Sequence, residues 1–228
     1  MIVLILYFIA ATIEIIGEFT ENYQVIFYSK ILLMPLLMIY AFTQQKQKSK
    51  IIFLLLGLFF SWFGDIFLMI RHQQPAEKSK LFFILGLVFF LLAHVQYIIA
   101  FIKDTIKQNK AGNVVQKPNL IIPFVVFVLS LWMYLGNSIQ AMKLPIYAYS
   151  IVIVTMSITA LNRYQLVSSK SFTYVFIGAL LFMFSDSCIA VSAFKQHFYL
   201  DRVCIMFTYI IAQYLITKGY LENINQNN

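Results

Sequence analysis

The chain has 228 residues, 61% of them hydrophobic and 11% charged, with a mean hydropathy of +0.80, 23 Phe and 14 Tyr. A soluble domain is about half apolar and a quarter charged, so these figures exclude an ordinary soluble domain, a disordered chain and a disulfide-stapled secreted scaffold. The net charge of +8 fits lysines gathered in loops beside anionic lipid and the cytoplasm, and no nucleic-acid partner is expected.

A transmembrane helix takes about 20 residues. A chain of this length therefore holds eight spans in one integral membrane domain, 1–228. In chain order the apolar runs predict helices over 2–17, 25–43, 51–70, 81–102, 119–136, 145–162, 172–194 and 200–217. The runs are continuously apolar and do not alternate as barrel strands do, so the expected class is all-α and multi-pass. The first run lacks the basic flank of a signal peptide and reads as a retained span. Pro35 and Pro123 fall inside spans, where membrane helices tolerate proline. Cys188 and Cys204 sit in apolar stretches. No CxxC and no Cys/His cluster supplies a ligand set, so neither metal nor cofactor is expected. Ten Lys and Arg fall on the side holding both termini and the loops near 44–50, 103–118 and 163–171, against seven on the other. That excess places both termini in the cytoplasm.

Ionisable groups inside hydrocarbon cost several kcal/mol unless paired or hydrated, which makes each one a candidate for function. Asp65 lies 14 residues past Ile51 in span three, and Asp186 lies 14 past Phe172 in span seven. At 1.5 Å per residue both carboxylates stand about 21 Å in. Glu14 in span one and Lys30 in span two arrive near the same level. Lys30 can alternatively snorkel to the interface, and Glu14 can hydrate at a helix end. Aspartate is too short to snorkel far. Each aspartate follows a small residue, Gly64 or Ser185, that lets a neighbouring helix or a substrate approach. His94 and Tyr97 are spaced i, i+3, and Tyr209 and Gln213 i, i+4, so each pair lines one helix face. They can orient a substrate or bridge helices.

These residues carry a family resemblance. Gly64-Asp65 after an apolar run resembles the first signature of the YhhN-like lysoplasmalogenase family. The stretch from Gly86 to Tyr97, which holds Ala93-His94-Val95-Gln96-Tyr97, resembles its second. The stretch Gly178 to Asp186 resembles its third, and Tyr209-Ile210-Ile211-Ala212-Gln213 its last. Lys30, followed by Leu33-Met34-Pro35, is similar to the family's lysine and proline in span two. The resemblance runs through spans two to eight in order. It implies an eight-span membrane hydrolase without a metal, acting on a lysophospholipid partner drawn from the membrane lipids. Members cleave the vinyl ether bond of lysoplasmalogens to a fatty aldehyde and glycerophosphocholine or glycerophosphoethanolamine.

Two carboxyl groups suit that reaction. Protonation of the alkene carbon remote from the ether oxygen gives an oxocarbenium ion, water adds, and the hemiacetal collapses to aldehyde and alcohol. One acid must be protonated and the other ionised, as in glycosidases. The residues leave open which aspartate plays which part. Two other readings use intramembrane aspartates. An aspartyl protease would need Gly at position 62, which is Trp62, and lacks its Pro-Ala-Leu motif here. A proton-coupled transporter would favour broken helices and inverted repeats, whereas the faint Gly64-Asp65 and Ser185-Asp186 echo is parallel.

Overall fold

A computed structural model describes residues 1–45, 47–71, 73–106 and 110–226. The α-helices are α1 Ile2–Thr20, α2 Tyr23–Gln44, α3 Ile52–Arg71, α4 Ala76–Ile106, α5 Asn113–Gln116, α6 Ile122–Leu135, α7 Lys143–Leu161, α8 Ser169–Phe194 and α9 Asp201–Gln226. Short 3₁₀ turns at Lys48–Ile51, Pro118–Ile121 and Gly136–Met142 adjoin α3, α6 and α7. No strand occurs among the described residues. All of these helices except α5 belong to eight helical spans long and apolar enough to cross a membrane. The all-α, multi-pass class read from hydropathy is what the chain adopts.

Local chemistry explains the boundaries. Glu21 ends α1 in the left-handed region at φ 52°, and the Asn22 N–H donates back to the Gly17 carbonyl at 3.0 Å. The Asn22 side chain then accepts from the Gln24 and Val25 N–H groups, capping α2. Pro123 lies inside the span Pro118–Gln140, in the first turn of α6. A missing N–H costs nothing there.

Two helices outrun their hydropathy. α4 begins and ends four or five residues beyond the expected 81–102. At 31 residues it is about 46 Å long, more than the roughly 30 Å of hydrocarbon. α9 continues past 217 to Gln226, and Tyr220, Leu221, Asn223 and Ile224 are all buried. Its span is the least apolar of the eight and the most buried by protein. This helix packs mainly on protein, so its outward polarity is not a reason for the helix to stop.

The chain falls into two compact units, Met1–Tyr97 and Ile98–Asn228, divided within α4. In the first, α1 turns the usual amphipathic rule inside out. Ile5, Ile9, Ile13 and Ile16 form an exposed apolar stripe, while Tyr7, Ala10, Glu14, Gly17 and Glu18 are buried. In lipid the apolar face is the one that meets the solvent. Trp62 on α3 donates its indole N–H to the Ile31 carbonyl of α2 at 3.0 Å. Where α3 meets α4, a Cβ on Gly57 would collide with the Tyr97 ring, and one on Gly64 would come within 2.7 Å of the Phe90 ring.

In the second unit α8 and α9 form an antiparallel pair. Gly178 meets the Ala212 carbonyl, Phe182 stacks edge-on to Tyr209 at 5.3 Å, and Ser185 Oγ donates to the Ile205 carbonyl at 2.9 Å. α6 and α7 are joined by Trp132, whose indole N–H reaches Ser150 Oγ at 2.8 Å.

If all eight helices cross, the even number returns both termini to one side. Lys46 and Lys107, counted above for the cytoplasmic side, lie outside the described residues. Reporter fusions at residues 1 and 228 are expected to read cytoplasmic at both ends. Opposite readings would break the even span count, and two external readings would reverse the orientation.

Candidate functional site

In the first unit the polar groups converge on Lys30. Its Nζ lies 3.2 Å from Glu14 Oε1 and 3.0 Å from Glu18 Oε1, with 13% of the side chain exposed. Asp65, itself 5% exposed, stands within electrostatic reach of the same ammonium. Ser29, one residue before Lys30, donates its hydroxyl to Glu14 Oε2 at 2.6 Å. Lys30 therefore does not snorkel, and Glu14, fully buried, does not hydrate at a helix end. Within this unit Lys30, Glu14 and Asp65 come together, with Glu18 as an added member. Glu18 was missed because hydropathy ended span one at 17, whereas α1 runs to Thr20. Its i, i+4 spacing from Glu14 on one helix face was the available signal.

Asp186, in the second unit, is 7% exposed and accepts a hydrogen bond from the Tyr149 hydroxyl of α7. Tyr149 had no signal in the sequence, being one of 14 tyrosines in apolar surroundings. Counted from the first residues of their helical spans, Lys48 and Ser169, Asp65 and Asp186 each lie 17 positions along. The small residues before them serve packing between helices. Gly64 seats Phe90, and Ser185 bonds to α9.

The supporting candidates divide between the units. His94 and Tyr97 are fully buried on α4 in the first. The His94 ring is within reach of the Phe90 carbonyl one turn back, and Tyr97 fills the space that Gly57 leaves. Tyr209 and Gln213 are buried on α9 in the second, with Tyr209 against Phe182. Among the described residues no three His, Cys, Asp or Glu side chains are grouped to hold a metal ion.

A second buried ion pair belongs to the framework. Arg163, counted above as a loop cation, is fully buried and pairs through Nη2 with Asp104 Oδ2 at 2.9 Å. The same nitrogen donates to Ser171 Oγ at 2.9 Å, and Ser171 donates on to the Gly219 carbonyl at 2.7 Å. Burial pushes the guanidinium down from the usual arginine range, and the Asp104 carboxylate opposes that shift. Next to it, Asn162 Oδ1 accepts from the Val114 N–H at 3.0 Å, tying α5 to the α7–α8 loop.

The Tyr149 hydroxyl is placed to hold the Asp186 carboxylate in one orientation. Hydrogen bonds to charged groups are worth about 1.5–3 kcal/mol. Tyr149→Phe keeps the ring and is expected to lower turnover of the substrate proposed below by about tenfold or more. Its KM should change little. Unchanged turnover would leave the hydroxyl a packing role only.

Apolar spans with carboxylates and an ammonium drawn inside define a polytopic integral membrane protein with a polar interior. The YhhN family model matches residues 25–220, and the chain belongs to the YhhN family. No curated protein and no solved structure matches the chain.

Proposed function

We propose that this protein is a lysoplasmalogenase, hydrolysing the vinyl ether of a lysoplasmalogen to a fatty aldehyde and a glycerophospho-base by acid–base catalysis at Asp65 and Asp186. The observation that carries the proposal is a buried aspartate in each unit, held beside a group that can tune it. Asp65 lies in the field of Lys30, and Asp186 accepts from Tyr149. Membership of the YhhN family is consistent with the activity.

The reaction assigns two tasks. One carboxyl delivers a proton to the alkene carbon remote from the ether oxygen, leaving positive charge on the adjoining carbon and oxygen. The other, ionised, stabilises that cation and takes a proton from the water that adds to it. The hemiacetal then breaks its bond to the glycerol oxygen, which leaves as the alcohol. A site poor in water strengthens each of these charge interactions. Lys30, paired with Glu14 and Glu18, keeps the charge near Asp65 from becoming wholly negative.

The test is aldehyde release from a lysoplasmalogen by the purified protein in detergent. Aldehyde and glycerophospho-base in equal amounts are expected, and intact substrate would overturn the assignment. A transporter breaks no bond and releases no aldehyde in detergent. Lys30→Met, which removes the ammonium but keeps most of the stem, is expected to lower turnover by about 10²-fold, the scale of one lost electrostatic partner in such a site. Wild-type turnover in that variant would confine Lys30 to a structural role.

A further inference from the structure

Cys188 and Cys204 face each other across the α8–α9 pair. The register follows from contacts on either side of them. Ser185 reaches the Ile205 carbonyl, and Ser192 donates to Asp201. Cys188 stands three residues after Ser185 and four before Ser192, on the same helix face. Cys204 stands between Asp201 and Ile205, the two partners of those serines. The thiols lie within hydrogen-bonding reach of each other, and Cys188 is within electrostatic reach of Asp186. Both cysteines are free, Cys188 buried and Cys204 half-buried. Beside the cysteines the two helices come close enough for Ser185 Oγ to reach the Ile205 carbonyl at 2.9 Å.

We propose that Cys188 and Cys204 form a redox-closable dithiol that staples α8 to α9 near their Lys195–Leu200 connection and beside Asp186. The oxidant is a disulfide, R–S–S–R. Cys204, the more accessible thiol, gives up its proton and attacks one sulfur of R–S–S–R, expelling RS⁻ and forming a mixed disulfide. Cys188, deprotonated in turn, attacks the Cys204 sulfur and expels the second RS⁻. Two protons leave the cysteines and two RSH form, so the protein is oxidised by two electrons and R–S–S–R is reduced. Only 15 residues separate the cysteines, so the bridge closes a short loop whose ends the helix pair already holds together. Closing it removes freedom from the opened chain at little cost to the folded one. Thiol exchange reverses it.

Oxidised glutathione applied to the purified full-length protein tests this. The intact mass should fall by two hydrogens, a peptide bridging Cys188 to Cys204 should appear, and dithiothreitol should restore both thiols. The bridged form should also unfold about 8 °C higher than the reduced form, as expected for closure of a loop of this length. Cys188→Ser, lacking the resolving thiol, should stop at a glutathione adduct on Cys204. The proposal is overturned if wild-type protein keeps such an adduct, bridges only between molecules, or stays reduced while a denatured control reacts. A bridge that leaves the unfolding midpoint unchanged would overturn the staple as well.

Discussion

Asp65→Asn and Asp186→Asn are each expected to cut the rate of aldehyde release by about 10²-fold or more, the scale of general acid–base catalysis. Asparagine is nearly the shape of aspartate, and at position 186 it still accepts from the Tyr149 hydroxyl. It can neither deliver a proton to carbon nor take one from water. Groups that act as a unit lose activity non-additively, so the double variant should be little slower than the poorer single. Folding should survive, since each change removes a buried charge and keeps the volume. Measured rates on folded protein decide the matter. Near-wild-type turnover in either single variant would sink the paired mechanism, and multiplicative losses would mean two independent roles.

Arg163→Met is expected to have the largest effect on stability. It strips the cation from Asp104, which is 5% exposed, and removes a donor to Ser171. Breaking a buried pair on one side costs about 3–5 kcal/mol. For a chain of this size that corresponds to a fall of about 10 °C in the thermal midpoint. Replacing both partners, Arg163→Met with Asp104→Leu, leaves no orphaned charge and should recover most of the loss. Thermal unfolding of purified protein reads both variants. A midpoint unchanged in Arg163→Met would show that the pair holds nothing together, and a double variant as poor as the single would place the cost in packing. The pair's importance is topological. Asp104 lies in the last turn of α4, Arg163 sits in the α7–α8 loop, and Ser171 carries the link to the Gly219 carbonyl on α9.

Arg163 also marks a limit of reading basic residues as loop charges. Position in a polar break between apolar runs made it look solvated, as it does for Lys170, which is 56% exposed. Nothing local separates the two. The difference lies in Asp104, 59 residues away, which makes burial of one cation tolerable. Lys30 illustrates the opposite case. Its depth alone pointed inward, and the ion pairs with Glu14 and Glu18 bear out that direction.

By itself the sequence determined the class of protein, the eight spans and the family. Those properties are local or ordered along the chain: a run of about 20 apolar residues has no good state other than a membrane helix, and a motif is read in place. It also located Asp65, Asp186, Glu14 and Lys30, because charge is conspicuous against hydrocarbon. Only the tertiary structure decided which polar groups meet. Tyr149 and Asp186 are 37 residues apart, and Lys30 and Glu18 are 12 apart. It also decided that α9 continues where hydropathy fades and that two unremarkable cysteines face each other. Burying a polar group costs too much without a partner, and that partner comes from whichever helix packs alongside. Hydropathy measures each residue's preference for lipid over water. It carries no term for a neighbouring helix that takes the place of both.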